Sequence, residues 1–349
     1  HLTENMRQSM IDAMDIMAGK TVISGPRNPI NRAYQGVPVA ITVEGANVMT
    51  RNMMIFGQGG VRSHKRILKI LQSIDDGDTA TYLLQGFGMV FDTLWRSLQM
   101  IVPSALTRGN PKAKDTKNQK YYKKIKKMSR SYNILANLSY MVLQAKLKLK
   151  ERASARLGDI LSNLYLASCA LQKFENEGRR EQDRELLDWG VRYCLHKAHI
   201  AAVDLARNFP IKPVGWFMRL VIPNYSRLKP SDKLDHKVAQ TILKPGEVRD
   251  YLTSGIYKPT KVGEPLADMN RALELNIKSY EVRKQADEAG RDLTPEEEEI
   301  IEQAREALFR IVETDEFKPD GTLYNPINGH KEKLVDDDTR EDPIVSAAL

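Results

Sequence analysis

Glu44 is the side chain of this sequence that is best placed to act as a base. It follows the apolar run VAITV at residues 39–43 and directly precedes Gly-Ala-Asn. If that run is buried, the carboxylate loses water, and desolvation raises a carboxyl pKa toward neutrality. A carboxylate with such a pKa suits general-base catalysis. A glutamate before glycine is also typical of a turn or a helix start, so the spacing alone leaves both interpretations open.

The other reactive side chains form weaker patterns. His196 and His199 lie three residues apart on a predicted helix and could share a metal ion, but no third ligand accompanies them. A structural histidine pair is the simpler interpretation, and we predict no metal site. Cys169 and Cys194 lack a local redox motif, which favours structural thiols in a reducing compartment. The glycine cluster at residues 57–60 follows a helix and lacks a Walker lysine, so it is weak as a nucleotide loop.

The elements that must position these residues are helices. Apolar residues recur at three- and four-residue intervals, which is the pattern of amphipathic helices. We predict helices over residues 2–19, 47–55, 61–74, 131–175, 184–209, 232–243 and 295–314. Ser231 and Thr294 are expected to cap the last two. Glycines and prolines predict a loop over residues 20–38, and the glycine cluster predicts an interruption. No strand pattern is found, so the predicted fold class is all-α.

Composition excludes several classes of protein. The chain has 349 residues, of which 42% are hydrophobic and 28% charged, so wholesale disorder and fibrous repeats are excluded. This length fits roughly two domains. The longest apolar runs fall far short of the ~20 residues that a membrane span needs. The chain starts at His1 within a predicted helix, from which we expect a fragment of a longer polypeptide.

The positive charge is concentrated in one region. The chain carries +8, whereas residues 108–150 alone hold 13 basic side chains against one acid, Asp115. Eight lysines fall between residues 112 and 127, and an apolar stretch precedes them at residues 87–102. An interfacial segment would bury the apolar face while lysines meet anionic headgroups. A core helix followed by a solvated loop explains the same pattern. Nucleic-acid binding ranks lowest, because no known binding signature accompanies the lysines.

Several longer stretches resemble acyl-coenzyme A dehydrogenases. Those similar to the end of the catalytic domain are residues 14–20 (MDIMAGK), 34–38 (YQGVP) and 41–47 (ITVEGAN), with Arg51. Those that resemble the additional C-terminal helical domain of the large bacterial β-oxidation enzymes are residues 155–159 (ARLGD) and 230–237 (PSDKLDHK). Residues 43–46 resemble the family's aromatic-Glu-Gly-Thr motif, whose glutamate is the catalytic base. The resemblance extends well over residues 1–250 and loosely beyond.

This resemblance implies a flavin-dependent dehydrogenase. Family members oxidise a saturated acyl-CoA to the trans-2-enoyl product; Glu44 would remove the α-proton while the β-hydrogen leaves as hydride to FAD. The residues that the resemblance places against FAD are Asp15, Gly19, Gly45, Ala46 and Asn47. The implied partners are the acyl-CoA substrate and an electron-transfer flavoprotein or equivalent acceptor. Because the family shares its cofactor between subunits, we also expect at least a homodimer, and we expect no nucleic-acid partner.

The sequence departs from the family pattern at four places. Asp15 replaces the usual Gln, Ala46 replaces the motif threonine, and Val43 replaces the aromatic residue. Residues 35–37 (QGV) stand where Arg-Asp-Ala is common. These changes resemble the branch of large bacterial enzymes, so we interpret them as traits of that subfamily rather than as loss of function.

The expected organisation follows from this assignment. Residues 1–76 would complete the catalytic helical bundle, residues 77–330 would form the extra helical domain, and residues 331–349 an acidic tail. A companion stretch would supply the N-terminal helical and middle β-domains that hold most of the flavin. Relatives with an extended C-terminus are associated with long-chain substrates and membranes, which favours a cytoplasmic enzyme peripheral at the inner face of the cell membrane through residues 86–127. The alternative is a non-catalytic helical scaffold or membrane-docking module.

Overall fold

The computed structural model describes residues 1–23, 28–43, 45–101, 116–261 and 263–312. Over these ranges the chain is helical and contains no strand, which confirms the all-α prediction. The chain forms two compact units. The terminal unit comprises His1–Glu44 and Asp250–Leu349, and the central unit comprises Gly45–Arg249. No helix in the described ranges is long and apolar enough to cross a membrane.

The α-helices are, in chain order, α1 (Leu2–Met17), α2 (Pro29–Thr42), α3 (Asn47–Met49), α4 (Gly59–Ser63), α5 (Ile67–Asp75), α6 (Thr79–Ile101), α7 (Thr116–Leu143), α8 (Glu151–Asn176), α9 (Arg184–Arg207), α10 (Lys212–Val221), α11 (Asp232–Leu243), α12 (Glu247–Leu252), α13 (Pro265–Ala289) and α14 (Pro295–Val312). A π-helical run, Thr50–Gln58, joins α3 to α4. We refer to residues 47–63 together as the helical arm.

The core of the central unit lies among α7, α8 and α9. Leu135, Leu157 and Leu195, one from each helix, have no exposed surface. The prediction of one nearly unbroken helix over residues 131–175 is wrong, because α7 and α8 pack against each other and the chain must reverse between them. Gln144 makes the reversal with a left-handed backbone (φ 46°) at the start of a 3-10 turn. No glycine or proline marks that position.

The loop predicted over residues 20–38 is also wrong in its second half. α2 begins at Pro29, which is favoured in a first helical turn because no N–H is needed there. The Asn28 side chain accepts a hydrogen bond from the Asn31 N–H at 3.1 Å and caps the helix. Pro38 lies inside the helix at an exposed position. Pro29, one of the prolines that suggested a loop, therefore starts the helix instead.

The glycine cluster does not interrupt the helical arm. A Cβ on Gly60 would lie 2.6 Å from the Tyr140 hydroxyl and 3.2 Å from the Phe56 ring, so this glycine allows the arm to pack closely on α7. The break comes at residues 64–66, inside the predicted 61–74 helix. There His64 Nδ1 accepts the backbone N–H groups of Arg66 and Ile67, both at 3.3 Å, and so caps α5.

Helices with strong local signals follow the predictions closely. α9 covers most of the predicted 184–209 helix, and Ser231 caps α11 through its hydroxyl and the Leu234 N–H. Thr294 and Glu297 form a reciprocal capping box at the start of α14. Thr314 and the acidic tail lie outside the described residues. The two compact units are defined by contacts within the chain. The predicted boundary between residues 76 and 77 instead separates two domains of the family, so the units do not test it and it stays a prediction.

Candidate functional site

Glu44, the expected base, lies outside the described residues. The apolar run before it ends α2, where Val39 and Val43 are 59% and 68% exposed. The premise that this run is buried is therefore wrong within this chain. A helix turns by about 100° per residue, so five successive apolar residues cannot all face one core.

Gly45, Ala46 and Asn47 form a tight turn into the helical arm. Gly45 has φ +91°, a backbone conformation that favours glycine. Ala46 is the N-cap residue of α3, and its methyl group offers no oxygen to the first turn. Ser, Thr, Asn and Asp are preferred at an N-cap because their side chains accept such N–H groups. The absent threonine hydroxyl thus means that the N-cap residue itself supplies no capping oxygen.

Asp15 and Gly19 lie one turn apart in the terminal unit, at the end of α1. Both are exposed, and no heavy atom lies within 4 Å of a Cβ built on Gly19. The fully buried Asn28 holds this region, because its Nδ2 donates to the Lys20 and Ile23 carbonyls at 2.8 Å each. An exposed carboxylate accepts hydrogen bonds but repels phosphate. Asp15 therefore fits a hydroxyl or amide donor of a cofactor rather than its pyrophosphate.

The anchorage of the helical arm on α8 is a feature that sequence reasoning missed. Arg51 Nε and Nη2 donate to Asp159 Oδ1 and Oδ2 at 2.8 and 2.5 Å, a bidentate pair. Beside it, a Cβ on Gly158 would lie 3.4 Å from the Arg51 carbonyl oxygen. Both partners occur in stretches that carried the family resemblance, but they are 108 residues apart, and no local signal predicts their contact.

The remaining reactive residues do not form a catalytic cluster. In the described part of the chain, no group of three or more His, Cys, Asp or Glu residues could hold a metal ion. His196 Nδ1 lies 3.3 Å from the Tyr225 carbonyl oxygen, and burial lowers the pKa of the largely buried His199. Burial raises the pKa of the Cys194 thiol to about 11, which disfavours its thiolate. Cys169 is a free, exposed cysteine.

α6 exposes a continuous apolar face, which we call the α6 stripe. Its members are Leu83, Leu84, Phe87, Val90, Phe91, Leu94, Trp95 and Leu98, all exposed. The opposite face packs on the bundle: Met89 is buried in the apolar core, Arg66 Nε donates to Asp92 Oδ2 at 3.0 Å, and Asn137 Nδ2 donates to Thr93 Oγ1 at 3.0 Å. The interpretation of this stretch as a core helix is therefore wrong for the α6 stripe, although Met89 does lie in the core.

The basic segment that follows is helical from Thr116 onward, so the solvated-loop interpretation is also wrong for that part. Residues 117–127 of α7 carry six lysines, while Tyr121, Tyr122 and Ile125 between them pack against the core. Lys124 extends over the Tyr225 ring, 5.3 Å from its centroid. Lys112 and Lys114 lie outside the described residues. α6 and α7 pack against each other in the central unit, which brings the stripe and the lysines onto adjacent helices.

The described residues fold as helices that pack into bundles. A family model described as the bacterial-type C-terminal domain of acyl-CoA dehydrogenase matches residues 61–317. Because this match covers most of the chain, the chain belongs to the acyl-CoA dehydrogenase family, in its bacterial-type C-terminal part. The comparison with solved structures returned no match.

Proposed function

We propose that this chain is the C-terminal part of an FAD-dependent enzyme that oxidises long-chain acyl-CoA to trans-2-enoyl-CoA in fatty-acid β-oxidation. Family membership supports the class of reaction. A second observation that supports the proposal is the turn at Gly45, Ala46 and Asn47, where a positive-φ glycine leads into the helical arm. The backbone there suits contact with the phosphates of FAD.

The roles of the residues follow from the family resemblance. The Glu44 carboxylate takes the α-proton of the substrate, and the Glu44 backbone N–H polarises the thioester carbonyl, which stabilises the developing enolate-like charge. FAD, when bound, supplies the acceptor for the β-hydrogen as hydride. Asp15 and Gly19 would contact the cofactor of a neighbouring subunit, which requires at least a homodimer. An electron-transfer flavoprotein or an equivalent protein is the expected electron acceptor.

Anaerobic addition of palmitoyl-CoA to the complete enzyme tests this proposal. The visible flavin band should bleach in the wild type and in a Glu288→Gln control, whose carboxylate lies on the exposed surface of α13. Bleaching should slow by about 10²- to 10⁴-fold in Glu44→Gln, the range expected for loss of a general base. Unchanged bleaching in Glu44→Gln would assign the base elsewhere. A colourless wild type that takes up no flavin would leave only a non-catalytic scaffold or docking module.

We also propose that the enzyme is peripheral at the cytoplasmic face of an anionic membrane. The α6 stripe supports this, because contiguous exposed apolar patches of this kind are rare on soluble monomers and mark interaction surfaces. The lysines of the adjacent α7 complement anionic headgroups. Sedimentation with liposomes at increasing salt tests this assignment, and retention on DNA in place of anionic lipid would instead indicate a nucleic-acid partner.

A further inference from the structure

The helical arm, which follows the turn at Gly45 and Ala46, is attached to α8 at successive positions. Arg51 forms the bidentate pair with Asp159, and Asn52 Nδ2 donates to Glu151 Oε2 at 3.3 Å. Four residues further on, Phe56 is 1% exposed within the apolar core. The arm therefore has two adjacent polar contacts near its start and an apolar attachment further along.

The attachment at Arg51 is directly connected to the turn. The Thr50 N–H donates to the Ala46 carbonyl at 2.9 Å, and the Thr50 hydroxyl lies 3.5 Å from the Gly45 carbonyl oxygen. Arg51 is the next residue along the chain. A rotation of the arm that broke the contact with Asp159 would thus also change the direction of the backbone groups of Gly45 and Ala46.

The Arg51–Asp159 pair differs from an ordinary surface ion pair. Asp159 is only 17% exposed, whereas Arg51 is 52% exposed. Two parallel hydrogen bonds fix the relative orientation of the two groups as well as their distance. At the adjacent Gly158 the arm backbone lies close to α8, because a Cβ there would be 3.4 Å from the Arg51 carbonyl oxygen. A single bond between flexible side chains would not impose this orientation.

We propose that Asp159 is a positioning residue for the flavin site. By holding Arg51, it fixes the orientation in which Gly45, Ala46 and Asn47 meet the cofactor. α8, an element of the bacterial-type C-terminal domain, thereby supports the site from outside the catalytic bundle. This inference rests on the proposed function, and it assigns Asp159 no contact with substrate or cofactor.

The test compares Asp159→Asn with a matched control in the complete enzyme. Glu185→Gln is the control, because it weakens a single exposed ion pair, Lys237 Nζ to Glu185 Oε1 at 2.6 Å, elsewhere in the same unit. Hydrogen exchange of the amides of residues 46–50 reports the attachment of the arm without flavin. Titration of the flavin-free enzyme with FAD reports the dissociation constant and the shape of the visible band.

In Asp159→Asn we expect exchange at residues 46–50 to accelerate by about five- to thirtyfold and FAD to bind about five- to thirtyfold more weakly, the range between an exposed ion pair and a buried charged hydrogen bond. The double variant Arg51→Asp, Asp159→Arg, which reverses the ion pair, should partly restore the slow hydrogen exchange and the FAD affinity. Glu185→Gln should change neither of them.

The outcomes separate the two proposals. Suppose first that the wild type binds flavin. The positioning role alone is then overturned if hydrogen exchange in Asp159→Asn is unchanged, or if it is faster while the FAD affinity is unchanged. A wild type that binds no flavin would overturn the proposed function and this inference with it. Equal losses in Asp159→Asn and Glu185→Gln would show a general effect of surface charge and would also overturn the positioning role.

Discussion

Three side chains of the α6 stripe give the sharpest test of membrane docking. Phe87, Phe91 and Leu94 lie at three- and four-residue intervals and are 72%, 66% and 58% exposed. Because they face away from the bundle, replacing all three with serine removes apolar surface without opening a cavity in the core. The triple variant should therefore fold as stably as the wild type and lose affinity for anionic vesicles.

The expected loss of affinity follows from the exposed fractions. Complete burial of a large apolar side chain contributes about 1.5–3 kcal/mol. More than half of each of these three side chains is still available for burial, so each would contribute about 1 kcal/mol in a partly hydrated membrane interface. The total of about 3 kcal/mol corresponds to about a hundredfold weaker vesicle binding, at tenfold for every 1.4 kcal/mol.

The assay is sedimentation of the complete enzyme with vesicles of phosphatidylserine and phosphatidylcholine. A matched control replaces three similarly exposed apolar residues of α14, Leu308, Phe309 and Val312, with serine. Lys120→Gln, at an exposed position of α7, should weaken binding by about fivefold, because each lysine near an anionic surface contributes about 1 kcal/mol.

Three results would refute this reasoning. The stripe variant could bind as tightly as the wild type, or the α14 control could lose as much affinity as the stripe variant. Binding could also be insensitive both to salt and to the phosphatidylserine content, although exposed charges are strongly screened at high ionic strength. Any of these results would remove the assignment of the α6 stripe and the α7 lysines to an anionic membrane.

Further predictions concern stability and are measured by urea unfolding. Gly215→Ala should destabilise the protein by about 1–3 kcal/mol, because the new Cβ would lie 2.5 Å from the Ala206 carbonyl oxygen. Gly190→Ala is the control in α9, where a Cβ has open space, and it should not destabilise the protein. Equal losses of stability in the two variants would contradict the packing argument. Burial lowers the pKa of His64 from 6.5, so the unfolded chain binds more protons, and the free energy of unfolding should fall as the pH drops below about 6.5. His64→Gln should flatten this pH dependence, and an unchanged slope would exclude His64 as a source of it. Thr294→Ala should cost about 1 kcal/mol through loss of the α14 cap, seen as a lower midpoint for the terminal unit, and an unchanged midpoint would contradict this.

The parts of the fold that the sequence predicted well are those with local causes. α11 and α14 each start with a hydroxyl N-cap, and α11 ends just before Pro245, so short-range hydrogen bonds and backbone restrictions define their ends. The turn at Gly45 is also local, because a glycine with positive φ follows from the motif itself. Such features need no knowledge of the rest of the molecule.

Two of the parts that were predicted wrongly have tertiary causes. The reversal at Gln144 exists because α7 and α8 pack together, and a residue other than glycine adopts the left-handed conformation there. The glycines at residues 57–60 favoured an interruption, but Gly60 is required by the close approach of the Tyr140 hydroxyl. The same residue type therefore signals flexibility in one context and tight packing in another, and only the packed structure distinguishes them.

The candidate site shows the same division. Glu44 and its neighbours are recognisable because they form one short motif, whereas the contact between Arg51 and Asp159 joins residues 108 positions apart. The desolvation argument for Glu44 failed within this chain because the run was treated as one apolar block, and α2 exposes Val39 and Val43. A helical register applied to this run would have predicted that part of it is exposed, but not which part.

The orientation of α6 is the clearest case in which periodicity alone is insufficient. An amphipathic pattern predicts that a helix has an apolar and a polar face, but not which face meets the protein. In α6 the polar residues Asp92 and Thr93 bond to the bundle, while Phe87 and Phe91 are exposed. Since these polar contacts and the buried Met89 already hold this helix on the bundle, its exposed apolar face is not needed to hold it in place. That face can therefore be buried against an apolar partner while α6 stays attached to the bundle. This supports the α6 stripe as a docking surface rather than as a misplaced part of the core.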